Sequence, residues 1–178
     1  AFRLDAKTGA LTHINTVPAG PDPAQISTDI NGRYLLTAYY VDAKVTVHAI
    51  GKDGALSAKP VQSIPTVEKA HAIVPDASNR FVFVPHTGPD ERTGKLSPNY
   101  PLKRSTPNKT GPRHLVFHPT KPIAYTSNEQ GSGITAYLMG TISGLLQPIQ
   151  TLSTLPPDFR GSNACAEIRM HPTGRYVY

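Results

Sequence analysis

Hydrophobic and polar residues alternate along this chain in short runs, each broken by a cluster of Pro, Gly, Asn or Asp. The clearest runs come in pairs around a polar centre: "QISTDINGRYLLTA", "AIVPDASNRFVFVP", "LVFHPTKPIAYTSN" and "EIRMHPTGRYVY". Val, Ile, Tyr and Phe at period two, bounded by turn formers, predict strand, turn and strand in each. A second set of stretches alternates with the first: "TGAL" at 8–11, "DGAL" at 53–56, "TGKL" at 93–96 and "SGLL" at 143–146. Each is predicted to be a turn between two strands. Together the two sets give units of four strands, read innermost to outermost in one unit as "HLVFH", "IAYTSN", "GITAYLM" and "LLQPIQTLS". Four-stranded units recurring at this period predict an all-β protein, a β-propeller whose antiparallel sheets are blades around a central channel.

The spacing also carries an anomaly. From Arg33 to Gly54 is 21 positions and from Pro122 to Gly144 is 22, but from Arg80 to Gly94 is only 14. Where the preceding unit has "KVTVHAI", this one has "HTGPDERTG", too short for a third strand. Deleting that strand would leave the outermost one with unpaired backbone. A segment is therefore expected to be missing near positions 88–91. Ala1 falls in a third strand, "AFRLD", and Tyr178 in a second strand. The expectation for 1–178 is one incomplete propeller domain: a half blade, three nominal blades and a half blade.

Charge and composition narrow the partners. The formal net charge is +6, but Lys and Arg are scattered and form no basic run interleaved with aromatics, so no nucleic acid is expected. A small anionic substrate suits that balance. No apolar run approaches a membrane span, and no membrane partner is expected. Cys165 is the single cysteine, which excludes an internal disulfide and a multi-cysteine zinc site. Neither metal nor cofactor is expected. The sequence does not fix an oligomeric state.

In antiparallel blades the start of the innermost strand lies beside the end of the second, so polar residues at those places share one channel mouth. They are His71 and His86 in the second nominal blade, Arg113, His114, Asn128 and Glu129 in the next, and Asn163 and Glu167 in the last. The fork of Arg113 suits a carboxylate, a phosphate or an oxyanion, and Glu129 or His71 suits proton transfer. Asn128 and Glu167 are candidate substrate contacts. Each has a structural alternative: His71 as a strand cap, Glu129 as a solvated turn carboxylate, Glu167 as an ion-pair partner of Arg113 or Arg169. His86 reads as a loop histidine, and His114 as a structural residue facing the other way along its strand. His118 and His171, in "HP" pairs, read as turn residues, and Cys165 has no base at fixed spacing.

The stretches "AHAIVPDASNRFVFVPHTGP", "KTGPRHLVFHP", "YTSNEQGSGITAY", "LSTLPPDF" and "CAEIRMHPTGRYVY" resemble the lactonase family of seven-bladed β-propellers. That family includes bacterial 6-phosphogluconolactonase and the fungal carboxy-cis,cis-muconate lactonising enzyme. The resemblance implies seven blades, of which this chain covers roughly half. It implies catalytic roles for His71, Arg113 and Glu129, and a further arginine beyond Tyr178. The implied activity is hydrolysis of a sugar lactone, foremost 6-phosphogluconolactone to 6-phosphogluconate in the pentose phosphate pathway, with Lys69 as the nearby cation for a substrate phosphate. That pathway makes the cytoplasm the expected compartment. A muconate-type lactonising isomerase and a non-catalytic binding platform are the alternatives.

Overall fold

A computed structural model of the chain describes residues 1–87 and 110–178. The expected gap near 88–91 and the "TGKL" turn lie outside these residues. Twelve strands are seen among them. β1 (Phe2–Leu4) and β2 (Leu11–His13) form an antiparallel pair closed by a turn in which Gly9 has φ 75°. β3 (Pro23–Thr28), β4 (Tyr34–Tyr39), β5 (Lys44–Ala49) and β6 (Gln62–Pro65) form a four-stranded antiparallel sheet in that order. β7 (Val74–Pro75) and β8 (Val82–Phe83) form a short pair. β9 (Pro112–Phe117), β10 (Ile123–Asn128), β11 (Gly133–Met139) and β12 (Leu146–Ser153) form the second four-stranded sheet. Beyond β12, Arg169 and Tyr178 exchange both backbone N–H···O=C bonds, and Met170 bridges Val177. The alternation read from the sequence places β4, β5, β10 and β11 almost to the residue.

The β7–β8 pair is shorter than its hydrophobic pattern predicts. Pro75 and Pro85 have no N–H to give, so the ladder thins to two residue pairs, an isolated Ala70–His86 bridge and the bond from His71 N–H to the Pro85 carbonyl at 3.0 Å.

Blades stack face to face through apolar side chains. Leu36, Ala38 and Val45 of the first sheet pack with Ala70 and Ile73 of the next blade. Leu115, Ala124 and Tyr137 of the second sheet receive Val74 and Phe83, with the Phe83 ring edge-on to Phe117 at 5.3 Å. Polar bonds fix the same stacking: Ser27 Oγ donates to the Ile73 carbonyl at 2.6 Å, and Ser127 Oγ to the Ala166 carbonyl at 2.9 Å.

The turn after each innermost strand is built around one acceptor at the same repeat position. Asp29 Oδ1 accepts the N–H groups of Arg33 and Tyr34, and Asp76 Oδ1 those of Arg80 and Phe81. In the later blades Nδ1 of His118 accepts from Thr120 and Lys121, and Nδ1 of His171 from Thr173. An acceptor that reaches back to the turn's own N–H groups is all this position requires, so either Asp or His serves there. Both "HP" histidines are turn residues, as their place in the repeat suggests.

Candidate active site at the channel mouth

The mouth is set by a clamp that repeats in three blades. Asp22, Lys69 and Gly111 hold left-handed φ values of 51°, 64° and 57° just before the innermost strand. Their carbonyls accept the N–H groups of Tyr40, Thr87 and Glu129, the residues that follow the second strand, at 3.1, 3.1 and 2.8 Å. For Lys69 this conformation is unfavourable by about 1 kcal/mol relative to glycine, and local strain of this kind collects at functional sites. The clamp draws strand start and strand end together, so Glu129 stands beside Arg113.

Arg113 and Glu129 pair directly. One Nη1 N–H of Arg113 donates to Oε2 of Glu129 at 2.6 Å, and both side chains keep a quarter or more of their surface open, 29% and 25%. Among the described residues the contact uses a single nitrogen of the guanidinium, which leaves the Nη2 donors of the fork for another group.

A β-bulge decides which way the neighbouring residue points. Leu115 pairs with Thr126 and Pro112 with Asn128, so Arg113 and His114 together face the single residue Ser127, whose Oγ accepts the His114 N–H at 3.3 Å. Strict alternation would send the two side chains to opposite faces, and a bulge re-aims them. His114 is thus not turned away, as the simple strand pattern suggests. Its ring meets that of His71 edge to face with centroids 5.0 Å apart, and His71 in turn meets the Tyr40 ring at 5.7 Å. The same bulge recurs at the start of β3, where Pro23 pairs with Tyr39 and Gln25 with Ala38.

Glu167 completes the row. Its Oε2 lies 3.3 Å from Nδ1 of His114 and its Oε1 3.2 Å from Nε of Arg169. The contact with His114 is an electrostatic approach and not an aligned hydrogen bond. Nδ1 of His114, Nδ1 of His71 and Nε of Arg113 are all buried without a hydrogen-bond partner among the described residues. Burial is the main influence holding the His71 imidazole below its ordinary value of 6.5, and the charges of Arg113 and His114 add to it against a weaker opposing pull from Glu129. His114 is depressed as well, first by burial, with Glu167 opposing and Arg113 and Arg169 reinforcing. Both shifts favour the neutral form of the rings at neutral pH.

The structure brings His71, Arg113, His114, Glu129 and Glu167 to one place. Lys69 belongs to the same mouth through its clamp, and its N–H donates to the Tyr40 carbonyl at 2.8 Å. Asn128 lies inside the blade: it is 1% exposed, its Nδ2 donates to Thr135 Oγ1 at 2.9 Å, and its Oδ1 accepts from Thr126 Oγ1 at 3.1 Å. His86 is held at the strand edge, with Nδ1 3.0 Å from the Glu68 carbonyl. Among the described residues no cluster of His, Cys, Asp or Glu could hold a metal ion, and no helix is long and apolar enough to cross a membrane. Below the mouth, a cavity of about 90 Å³ between the innermost strands is lined by Gln25, Ala72, Val74, His114 and Glu167 among others. His114 is the site residue that strand alternation alone misses; the proline at the start of "PRH", which also stands at the bulged start of β3, is the one signal that marked the irregularity.

Comparison with known proteins agrees with this architecture. The chain is 34% identical to the 6-phosphogluconolactonase of Pectobacterium carotovorum and 33% identical to that of Cronobacter sakazakii, in each case over its whole length and 55% of the relative's. It spans about half the length of the curated relatives it matches. The solved periplasmic gluconolactonase of Pseudomonas aeruginosa superimposes with a TM-score of 0.82 at 25% identity, over 99% of this chain and 55% of that one. The profile of the lactonase seven-bladed β-propellers matches residues 1–178. With its four-stranded antiparallel blades and its polar mouth, the chain belongs to that lactonase family.

Proposed function

We propose that the protein carrying this chain hydrolyses a sugar lactone, with 6-phosphogluconolactone as the foremost substrate. The observation that carries this reading is a partly buried imidazole, His71, within electrostatic reach of Arg113, a guanidinium whose fork is only part used among the described residues. Ester opening needs a base for water and a cation for the developing oxyanion, and these two groups supply both.

In this mechanism Arg113 binds the lactone carbonyl oxygen. His71, with Nδ1 sealed in the protein, takes a proton from water at Nε2 as the water oxygen bonds to the carbonyl carbon. Negative charge moves to the carbonyl oxygen beside Arg113. Collapse of the tetrahedral adduct breaks the ring C–O bond, and the His71 imidazolium returns its proton to the departing ring oxygen, giving the open hydroxy acid. Glu129 is engaged by Arg113 at 2.6 Å, and its role here is to aim the guanidinium, not to serve as the base. Lys69 supplies a cation for a phosphate at the rim. Relatives named 6-phosphogluconolactonase support the substrate class.

The test is lactone opening by the purified protein, measured against spontaneous hydrolysis with 6-phosphogluconolactone and with unphosphorylated gluconolactone, and repeated with His71→Ala. Acceleration lost in the variant supports the reading. Equal rates with and without protein would overturn it in favour of a binding platform.

A further inference from the structure

The pairing of two histidines across neighbouring blades goes beyond the roles given to His71, Arg113 and Glu129. We propose that His114, anchored by Glu167, is a positioning residue for His71: it fixes the base's ring against the blade interface and keeps it in its proton-accepting form. The inference rests on the lactonase reading for its effect on turnover, but not for its effect on His71 itself.

The geometry has three parts. The two rings meet edge to face at 5.0 Å with 67° between their planes, and the Tyr40 ring meets His71 at 5.7 Å and 85°. His71 thus contacts two rings that come from different blades, which restricts its rotation. The bulge opposite Ser127 puts His114 in this position, and the Ser127 side chain is itself tied to the following blade through Ala166. Glu167, from that following blade, stands 3.3 Å from Nδ1 of His114, while Arg169 takes its other oxygen at 3.2 Å. Three consecutive blades therefore meet on one imidazole.

The electrostatics follow from what faces each ring. His71 faces Tyr40, Arg113, His114 and Glu129; His114 faces His71, Glu167, Arg113, Arg169 and Glu129. Of the two imidazoles, His114 has the nearer carboxylate, so a proton arriving at the pair is drawn to His114. A charge there disfavours a second one on His71. The base then stays neutral to lower pH than it would beside an apolar ring.

The experiment uses the purified protein and two variants, His114→Phe, which keeps a ring against His71 and removes the charge, and His114→Gln, which removes the ring. Two readouts are taken: the pH profile of kcat/KM for the lactone, and the titration of His71 followed by NMR of its ring. In His114→Phe the titration of His71 and the acid limb of the profile are expected to move together to higher pH, with a loss of about threefold or more at pH 6 that exceeds the loss at pH 8. In His114→Gln kcat is expected to fall at both pH values while KM changes little, because the ring's orientation is lost. Wild-type titration of His71 in both variants would overturn the proposal. If the wild-type protein opens no lactone, the functional reading fails, and the NMR titration still decides whether His114 governs His71.

Discussion

Arg113, on β9, and Glu129, just past the end of β10, share a 2.6 Å contact, Nη1 to Oε2, while Nε of the same guanidinium is buried without a partner among the described residues. An arginine held by one corner is oriented but not saturated. The pair is a quarter or more exposed, so its direct effect on stability is small.

Replacing Glu129 with Gln should therefore reduce lactone turnover by roughly a hundredfold, the scale seen when a transition-state donor is misplaced. The thermal midpoint should stay close to wild type. Steady-state kinetics with a parallel melt separate the two effects; a variant that turns over normally would remove Glu129 from the site.

Lys69 is anchored through its backbone on both sides, its N–H on the Tyr40 carbonyl and its carbonyl on the Thr87 N–H. Its side chain can change without disturbing the clamp. Lys69→Ala is expected to raise KM about tenfold for the phosphorylated lactone, consistent with losing one charge-assisted contact, and to leave the unphosphorylated lactone nearly unaffected. An equal rise for both substrates would show that the lysine does not read the phosphate.

Asp76 is 1% exposed and accepts from the N–H groups of Ser78, Arg80 and Phe81 and from the Ser78 hydroxyl. Asp76→Ala removes the acceptor of four part-buried hydrogen bonds at once and should cost about 2 kcal/mol. A shift in the urea midpoint of that size is the expected result, with activity per folded molecule retained. A midpoint within experimental error of wild type would mean that the turn is held by other contacts.

Acid stability should fall in two steps. His71 and His114 are held below the ordinary imidazole value of 6.5, chiefly by burial. The unfolded chain takes up their protons first, so stability is greatest above pH 6.5 and declines as pH drops through that value toward the folded pKa values. Asp29 and Asp76 act in the same direction at lower pH, for a different reason. Burial alone would raise their carboxyls, yet the turn's hydrogen bonds outweigh it and hold both below 3.8. Their contribution is present above pH 3.8 and is lost as pH falls through the folded values. Thermal midpoints from pH 8 to pH 3 test this, and His71→Phe should flatten the upper step; a flat profile between pH 8 and pH 5 would contradict it.

Most of the strands, the turns and the repeat were legible along the chain itself, the shortened β7–β8 pair excepted. Alternation in "IAYTSN" and "GITAYLM" is a local property of a half-buried ladder, and β10 and β11 begin and end where it does. The turn role of His118 and His171 was also local, since each needs only to face the N–H groups of its own turn. Family membership followed from "GPRH", "NE" and "AEI" for the same reason: motifs are read along the chain. The tertiary structure decided what a period of two cannot express. One extra residue opposite Ser127 turned His114 from a presumed back face to the ring of His71. Asn128, adjacent in sequence to Glu129, went into the blade because Thr126 and Thr135 matched both ends of its amide. Glu167 met His114 across a blade boundary, a contact between residues whose proximity depends on how sheets stack and not on any spacing along the chain. Side-chain direction at a strand end is set by bulges and by the neighbouring blade, and those are long-range consequences of packing.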